Sequence, residues 1–180
     1  MSEANIQPPT WLAPLRSALS QGQARTCLLG AHGSTAACAL TLLNNTRQGT
    51  PDRAGPCVVV TPNDDSAERI FNDLCFFHGL MGRPVEDLAW FPEWETLPYE
   101  ATAPHVGLIA HRMTTLHRLL INPPPILVTS VAAAMHRVIP RSTFEQAIFH
   151  FQTGAAFERE SLSTNLLRLG YRRVSVVEIP

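Results

Sequence analysis

Short runs of apolar, β-branched residues alternate with helical periodicity up to residue 131, and this alternation constrains the fold more than any other feature. Four of these runs read as strands: Thr26–Ala31, Pro56–Pro62, Glu86–Phe91 and Pro125–Val131. Continuous apolar runs of this length are typical of strands that are covered on both faces, as in a parallel sheet. Strands that alternate with helices predict an α/β fold in which right-handed crossovers connect parallel strands.

Two helices are predicted between the first three strands, over Gly33–Asn45 and Asp64–Phe77. Asn63, Asp64 and Asp65 can cap the second helix and complement the positive end of its dipole. A single apolar stripe, typical of a helix that packs one face on a core, runs along this second helix. The stripe consists of Ala67, Ile70, Phe71, Leu74 and Phe77.

A third helix is predicted before the last strand, and its apolar stripe is the most regular in the chain. Pro104 is well placed to start this helix, because proline is favoured at the first helical position. The helix should stop at Asn122, since the three consecutive prolines that follow cannot continue it. The stripe consists of Val106, Ile109, Met113, Leu116 and Leu120.

The pattern changes near residues 139–143, and a second, smaller domain is predicted from there. The stretch Phe144–Gly154 reads as an alternating strand, and Glu158–Leu169 reads as a helix that Gly170 would end. The final stretch Tyr171–Pro180 reads as another strand. A strand–helix–strand piece of about 40 residues is marginally stable by itself. We therefore expect this second domain to continue beyond the sequence.

The charged residues limit the chemistry that the chain can perform. The formal net charge is −1, and all 14 basic residues are arginine. A free-standing nucleic-acid binder relies on clustered Lys and Arg, so this charge balance disfavours direct nucleic-acid binding. Because lysine is absent, a phosphate-loop lysine, a Schiff base and a lysine general base are all impossible.

The cysteines and the hydropathy predict a protein of the reducing cytoplasm. No apolar run reaches about 18 residues, the length that a membrane-spanning helix needs, and no signal-peptide pattern begins the chain. We therefore expect no membrane contact. The four cysteines lie in separate apolar runs without a Cys-x-x-Cys pair, which favours buried thiols. These cysteines are Cys27, Cys38, Cys57 and Cys75.

The segment Leu28–Ala37 lies where a phosphate-binding loop would follow a strand and open a helix. In the pattern G-x-x-x-x-G-K-[ST], the lysine reaches the β- and γ-phosphates and the hydroxyl holds Mg²⁺. Ala36 and Ala37 stand in place of these two residues, so the loop is predicted to be vestigial and to bind no cofactor. A helix start can still attract an anion weakly. The residues of this vestigial loop are Gly30, Gly33, Ser34, Thr35, Ala36 and Ala37.

The histidines and hydroxyls form no recognisable metal-binding or catalytic pattern. His105, His111 and His117 recur every six residues, but six residues turn a helix by about 600°, so they point in different directions. Zinc ligands on one helix normally lie four residues apart. Ser130 lies near His136 in sequence, yet it is better placed as the N-cap of a short helix. We therefore predict neither a metal site nor nucleophilic catalysis.

The stretch "PEWETLPYE", Pro92–Glu100, combines three acids, two prolines and two large aromatic residues. Glu93 and Glu95 could pair as a general acid and base, but no other group converges on them. Trp94 and Tyr99 could stack on nucleic-acid bases, but the surrounding acids would repel phosphates. The stretch is therefore predicted to be a rigid loop that leaves the third strand and packs its aromatic side chains on the domain.

The same stretch carries a resemblance to a known family. The motif W-E-T-L-P-Y, followed by "PH" and a later arginine, resembles the N-terminal region of the bacterial transcription-repair coupling factors, the Mfd family. The segments "VVVTPNDDSAERIFNDLCFF", "ILVTSVAAAMHRVIP" and "LLRLGYRRVSVVEIP" resemble this family in the same order, so the resemblance begins near residue 25. The signature residues are Trp94, Glu95, Thr96, Leu97, Pro98, Tyr99, Pro104, His105 and Arg112.

The resemblance implies a fold similar to that of the damage-recognition protein UvrB. It implies a RecA-like parallel-sheet half-domain with a degenerate phosphate loop, followed by the start of a smaller α+β inserted domain. Residues 1–24 would be an N-terminal extension, residues 25–141 the RecA-like domain, and residues 142–180 the truncated start of the inserted domain. In this family the inserted domain recruits UvrA. Arg172 and Arg173 are candidate contacts, although paired arginines more often simply face the solvent.

The resemblance also implies a function in transcription-coupled nucleotide excision repair. The chain would recruit UvrA to RNA polymerase stalled at DNA damage, without enzymatic activity of its own. RNA polymerase, double-stranded DNA, and the ATP and Mg used by a translocase motor would be bound by other parts of the full-length protein. One alternative is an active UvrB-type helicase subunit or another nucleotide-binding α/β enzyme, against which Ala36 argues. A direct nucleic-acid-binding module is a further alternative, which the charge balance disfavours.

Overall fold

The computed structural model of the chain describes residues 9–47, 56–94, 103–149, 151–154 and 156–176, with the backbone alone for 45–47. The chain forms two compact units, Met1–His136 and Arg137–Pro180. The assignment of residues 25–141 and 142–180 to a RecA-like and an inserted domain stays a prediction. No helix in the described part of the chain is long and apolar enough to cross a lipid bilayer.

The first unit contains a parallel three-stranded sheet. Its strands are β1 (Cys57–Thr61), β2 (Leu88–Phe91) and β3 (Ile126–Ser130). They lie in the order β1-β3-β2, and β3 pairs in parallel with both neighbours. All five residues of the central strand are buried. The α/β class, the parallel sheet and three of the four predicted strands are therefore confirmed.

The described residues of this unit also form five helices. They are α1 (Ala13–Ser20), α2 (Thr35–Arg47), α3 (Asp64–Leu80), α4 (Val106–Ile121) and α5 (Val131–Met135). The 3₁₀ turns Thr10–Leu12 and Val85–Asp87 precede α1 and β2. The predicted helices between the strands are thus confirmed, with ends that shift by a few residues.

Side chains of β3 point alternately to two separate cores, as expected for a strand covered on both faces. Ile126 and Val128 pack with Leu74 of α3 and Ala37 of α2. On the opposite face, Leu127 belongs to a second core, completed by Ala89, Phe91, Ala133 and the partly buried Leu116 and Leu119. A third cluster joins the N-terminal helices to α2 through Leu12, Ala39 and Leu42.

Helix α3 has the buried face that its sequence predicts. Ala67 and Leu74 are fully buried, and Ile70, Phe71 and Phe77 pack against the same core. The helix begins after the N-cap Asn63, whose side chain accepts a hydrogen bond of 3.0 Å from the backbone N–H of Ser66. Both predictions for this helix, the stripe and the polar cap, are confirmed.

Helix α4 follows its predicted apolar stripe only in part: Leu116 packs against the second core, but the most buried residues of the helix are polar. Arg112 and Thr115 are 1% and 4% exposed, whereas Val106 of the predicted apolar stripe is 77% exposed. The helix lies beside the edge strand β2, where outward-facing carbonyl groups need hydrogen-bond donors. The helix begins at Val106 after the N-cap His105, whose Nδ1 accepts a hydrogen bond from the Gly107 N–H. Pro104 therefore precedes the N-cap, and the prediction that it is the first helical residue is wrong.

The predicted first strand, Thr26–Ala31, is not formed. The segment is irregular, and Leu29 is 85% exposed. A strand requires partner N–H and C=O groups, which apolar composition alone does not provide. Among the described strands, β1 pairs only with β3, so the segment has no neighbour in the sheet.

The second unit contains α6 (Arg141–Gln146) and α7 (Arg159–Arg168). The predicted helix is confirmed as α7, and Gly170 ends it with a φ of 91° and a Tyr171 N–H that reaches back to Leu166. The predicted strand from Phe144 is wrong. Its first residues continue α6, in which Arg141 and Glu145 pair at 2.8 Å across one helical turn. The described residues 171–176 are irregular, so the last predicted strand is not seen.

Candidate functional site

The carboxyl ends of the three parallel strands meet at one edge of the sheet, the position where α/β proteins commonly bind ligands. Thr61, Phe91 and Ser130 end the three strands. Acidic residues follow two of them: Asp64 begins α3 after β1, and Glu93 follows β2. This carboxyl edge is therefore the first candidate for a functional site.

Hydrogen bonds tie the polar groups of this edge to one another. The Ser130 hydroxyl donates to Glu93 Oε2 at 3.1 Å and accepts from the Ala133 N–H at 3.1 Å, which caps α5. The Glu93 N–H donates to Asp64 Oδ1 at 3.2 Å. Glu93 thus bridges the ends of β1 and β3 from its position after β2. The prediction that Ser130 is a helix cap is confirmed.

Arg112 places a buried cation beside this network. Its guanidinium carbon lies 4.0 Å from the ring centroid of Phe91 and 4.3 Å from that of Trp94, so the cation lies against both aromatic rings. Nη1 also donates a hydrogen bond to the Pro92 carbonyl. These contacts hold Phe91, Pro92 and Trp94, the residues through which the chain leaves β2.

Burial perturbs the ionisation of two groups at the edge. It raises the pKa of the Asp64 carboxyl, and the neighbouring Glu93 carboxylate raises it further, whereas the hydrogen bond from the Glu93 N–H opposes this shift. Burial lowers the pKa of the Arg112 guanidinium, and the Asp64 carboxylate opposes that shift. The Asp64 carboxylate therefore favours the charged form of the Arg112 guanidinium inside a partly desolvated cluster.

The polar and charged groups of this cluster interact mainly with other groups of the same chain. Ser130, Glu93, Asp64 and Arg112 each interact with a neighbour in the chain. In the described part of the chain, no three His, Cys, Asp or Glu side chains converge as a metal site would require. The contacts of these four residues join the ends of the three strands, so their role is structural.

The predicted vestigial loop leads into α2, whose first residues are Thr35, Ala36 and Ala37. Gly30 and Gly33 adopt φ values of 76° and 55°, which other residues rarely tolerate, and Ser34 is exposed. The Thr35 hydroxyl donates to the His32 carbonyl at 2.7 Å. Ala36 is half-buried, and Ala37 is fully buried in the core beneath the sheet. That this loop is vestigial and binds no cofactor stays a prediction.

The signature residues fall into three places. Trp94 and Arg112 contact each other, and His105 caps α4 directly after Pro104. Glu95, Thr96, Leu97, Pro98 and Tyr99 lie outside the described residues. The prediction that Trp94 packs on the domain is confirmed for its contact with Arg112, whereas the packing predicted for Tyr99 stays a prediction.

Arg172 and Arg173 are exposed in the second unit. Arg173 lines a shallow cavity of about 210 Å³ together with Arg159, Leu162 and Leu166 of α7. Arg159 and Arg173 therefore border the same depression, which the acidic Glu160 also lines. The role of Arg172 and Arg173 as partner contacts stays a prediction.

Sequence reasoning missed two parts of the carboxyl edge. Asp64 was assigned only to the helix start, although it also accepts the hydrogen bond from Glu93. Glu93 was considered only with Glu95, although its side chain binds Ser130. The sequence did contain a signal: Asp64, Glu93 and Ser130 lie at or shortly after strand ends, and the carboxyl ends of parallel strands share one edge.

The architecture defines the first unit as an α/β protein with a parallel sheet and helices on both faces. No family model matches the chain. It is 34% identical over 124 residues to the transcription-repair-coupling factor of Escherichia coli K12, an alignment that covers 69% of this chain and 10% of that protein. The factors of Myxococcus xanthus and Mycobacterium tuberculosis are each 30% identical over 68% and 69% of the chain.

These similarities confirm that the chain is related to the transcription-repair coupling factors, as the residues around Trp94 and Arg112 indicate. The aligned residues span about a tenth of the length of these relatives. The similarity therefore concerns one segment of much longer proteins.

Proposed function

We propose that this chain is a protein-docking module of transcription-coupled nucleotide excision repair and that its partner is UvrA. The observation that carries the proposal is the 34% identity to the Escherichia coli transcription-repair-coupling factor. Within a full-length protein, other segments would bind RNA polymerase and double-stranded DNA and would supply an ATP-driven translocase. The module would act in the cytoplasm, where bacterial DNA is repaired.

The proposed fold assignment is a RecA-like half-domain with a degenerate phosphate loop, followed by the start of an inserted α+β domain. The parallel order β1-β3-β2 and the position of the loop before α2 are compatible with it. Ala37 supports the degenerate loop, because its methyl group has no oxygen that could bind a magnesium ion and is fully buried in the core.

We also propose that this chain binds no cofactor and hydrolyses no nucleotide. The absence of lysine removes the group that a phosphate loop uses to reach the β- and γ-phosphates. At the carboxyl edge, Glu93 and Asp64 accept hydrogen bonds from the chain itself, which supports a structural role for both carboxylates.

Calorimetric titration of the purified chain with Mg-ATP, followed by an assay for released phosphate, tests this proposal. We expect no binding tighter than about 1 mM, which corresponds to roughly −4 kcal/mol. Tighter binding accompanied by hydrolysis would support the alternative of a nucleotide-dependent enzyme. A UvrB protein assayed in parallel is the positive control for the phosphate assay.

The docking role is tested by measuring UvrA binding to the immobilised chain by biolayer interferometry. Replacing both Arg172 and Arg173 by alanine should weaken binding about tenfold or more, because exposed arginines form charge-assisted hydrogen bonds with acidic partners. The matched control replaces Arg137 and Arg141 by alanine, which removes the same charge from the same unit. Equal affinities of the two double variants would remove Arg172 and Arg173 from the interface. No UvrA binding by the unmodified chain would contradict the docking role.

A further inference from the structure

Strand β2 lies at one edge of the sheet, with a single neighbouring strand. In such a strand, every second residue turns its backbone N–H and C=O away from the sheet. Phe91 faces inwards, since its carbonyl accepts from the side chain of Thr129 on β3. The backbone N–H and C=O groups of Leu88 and Trp90 therefore face outwards, and the carbonyls of Glu86, in the 3₁₀ turn before the strand, and of Pro92, after the strand, also point towards α4.

The carbonyls of Glu86, Leu88, Trp90 and Pro92 all accept hydrogen bonds from side chains of α4. Arg118 donates from Nη1 to Leu88 at 3.1 Å and from Nη2 to Glu86. The carbonyl of Trp90 accepts from the Thr115 hydroxyl at 3.0 Å and from His111 Nε2 at 2.9 Å. The remaining carbonyl, that of Pro92, accepts from Arg112 Nη1.

The four donors follow one face of the helix. His111 and Arg112 are followed by Thr115 and then Arg118, a spacing of three to four residues that keeps side chains in one row. Later residues of α4 contact earlier residues of β2, so the helix runs antiparallel to the strand. These four side chains take the place of the backbone N–H groups that a neighbouring strand would otherwise offer to the outward carbonyls.

The opposite edge of the sheet has a different surface. Among the described strands, β1 pairs only with β3. Val58 and Val60 on this strand are 51% and 54% exposed, whereas Ala89 and Phe91 of β2 are buried beside α4. Helix α4 therefore covers this face of the sheet over β2 and leaves it more exposed over β1.

We propose that α4 acts as a surrogate strand, whose row His111, Arg112, Thr115 and Arg118 keeps the β2 edge from pairing with the β2 edge of a second copy of this chain. An edge strand with free carbonyls is a template for another strand, and its usual protections are charged side chains or a covering helix. Helix α4 provides both protections, because it covers the edge and carries charged side chains. The proposal is independent of the proposed function.

The test removes two donors while leaving the buried volume nearly unchanged. We would replace Thr115 by valine and Arg118 by methionine in the 180-residue chain, and measure mass against concentration by size-exclusion chromatography with light scattering. We expect the double variant to self-associate about tenfold more tightly than the unmodified chain, because the Glu86 and Leu88 carbonyls lose the Arg118 donor and the Trp90 carbonyl keeps only the donor from His111. Hydrogen exchange should show new protection at the Trp90 amide in the associated form.

The matched control makes the same two replacements at positions without a hydrogen bond to β2. Thr114 is the exposed neighbour of Thr115, and Arg69 is an exposed arginine on α3. A variant with valine and methionine at these positions should behave like the unmodified chain. Equal self-association of both double variants would overturn the proposal, as would association without new protection at Trp90.

A second pair of variants keeps the test decisive if the double variant does not fold. Thr115→Ser retains the hydroxyl donor, whereas Thr115→Val keeps the shape and loses the donor. The valine variant should self-associate more than the serine variant, because the Trp90 carbonyl then keeps only the donor from His111. Arg118→Lys should restore part of the monomer population relative to Arg118→Met. Monomeric behaviour of Arg118→Met, folded by circular dichroism, would refute the proposed role.

Discussion

Helices α3 and α4 both connect one strand of the sheet to the next along the chain, yet their most buried side chains differ in polarity. Helix α3 packs Ala67 and Leu74 into the core that also contains Ile126 and Val128. The most buried side chains of α4 are Arg112 and Thr115, both polar. The difference follows from their places: α3 contacts all three strands, whereas α4 reaches the carbonyl groups of the edge strand β2.

Apolar periodicity predicts the buried side of a helix that lies over a sheet face better than that of a helix beside a sheet edge. A helix over the middle of a sheet face meets only side chains, so its apolar stripe is driven inwards by the removal of apolar surface from water. A helix beside a sheet edge meets backbone carbonyls, and leaving those unpaired in a buried place costs free energy. Polar side chains then take the buried position, as Arg112 and Thr115 do.

The largest expected effect is on the α3 side. Leu74→Ala should lower the free energy of unfolding by about 2–5 kcal/mol, because a fully buried leucine is replaced by a cavity. Urea denaturation followed by circular dichroism measures the change. A loss below about 1 kcal/mol would mean that α3 does not form the main core, since core cavities of this kind cost more.

Arg112→Met tests the polar face of α4. We expect a loss of about 1–3 kcal/mol, because the Pro92 carbonyl loses a buried donor and the rings of Phe91 and Trp94 lose the cation. Arg69→Met, on the exposed face of α3, is the control and should stay within about 0.5 kcal/mol. Equal losses in the two variants would show that burial of the arginine contributes nothing.

The two helix starts provide a third contrast. Asn63→Ala should cost about 1 kcal/mol, because the side chain is a preferred N-cap that accepts a hydrogen bond from Ser66. His105→Ala should cost less, since histidine is not among the preferred caps, although its Nδ1 accepts from Gly107. Thermal melts of both variants measure the order. A larger loss at His105 would reverse the expected ranking of the two caps.

The last turn of α3 should make stability depend on pH through His78. Burial lowers the pKa of this fully buried histidine, the Pro84 carbonyl opposes the shift and Arg83 adds to it. The unfolded chain therefore takes up the proton first as the pH falls, so the contribution of neutral His78 is present above the ordinary pKa of 6.5 and is lost as the pH falls towards the lower folded value.

Urea titrations at several pH values between about 7.5 and about 5 measure this dependence, which one proton limits to roughly 1.4 kcal/mol per pH unit. His78→Leu should flatten the slope in this window, and His117→Leu, on α4, serves as the comparison. A slope that is unchanged in His78→Leu would assign the pH dependence to other groups.

The smallest effect is expected where the sequence pattern of α4 suggested a core. Val106→Ala should change the free energy of unfolding by less than about 0.5 kcal/mol, because the side chain is 77% exposed. The same urea titration gives the value. A loss comparable to that of Leu74→Ala would place Val106 against a surface that the described residues do not include.

Predictions from local patterns succeeded where local signals decide the structure. The strands Cys57–Thr61 and Ile126–Ser130 follow their β-branched runs, and Asn63 and Ser130 cap helices as their residue types favour. The apolar run Thr26–Ala31 failed because a strand forms only with a partner, and the presence of a partner is not a local property.

The candidate site shows the same limit. The sequence marked Glu93, Trp94 and Arg112 as notable residues, through their position in or after one motif. It did not reveal that Glu93 binds Ser130 or that Arg112 lies against Phe91 and Trp94. These contacts join residues that are far apart along the chain, so they follow from strand order rather than from spacing.

The sequence by itself determined the α/β class, the main helices, the absence of lysine chemistry and the relation to the transcription-repair coupling factors. Each of these depends on composition, periodicity or a contiguous motif. Only the tertiary structure decided which edge of the sheet α4 covers, and therefore that Arg112 and Thr115 are buried and Val106 is not. The physical reason is that unpaired backbone carbonyls arise from the order of strands, and their need for donors outweighs the apolar pattern of the helix beside them.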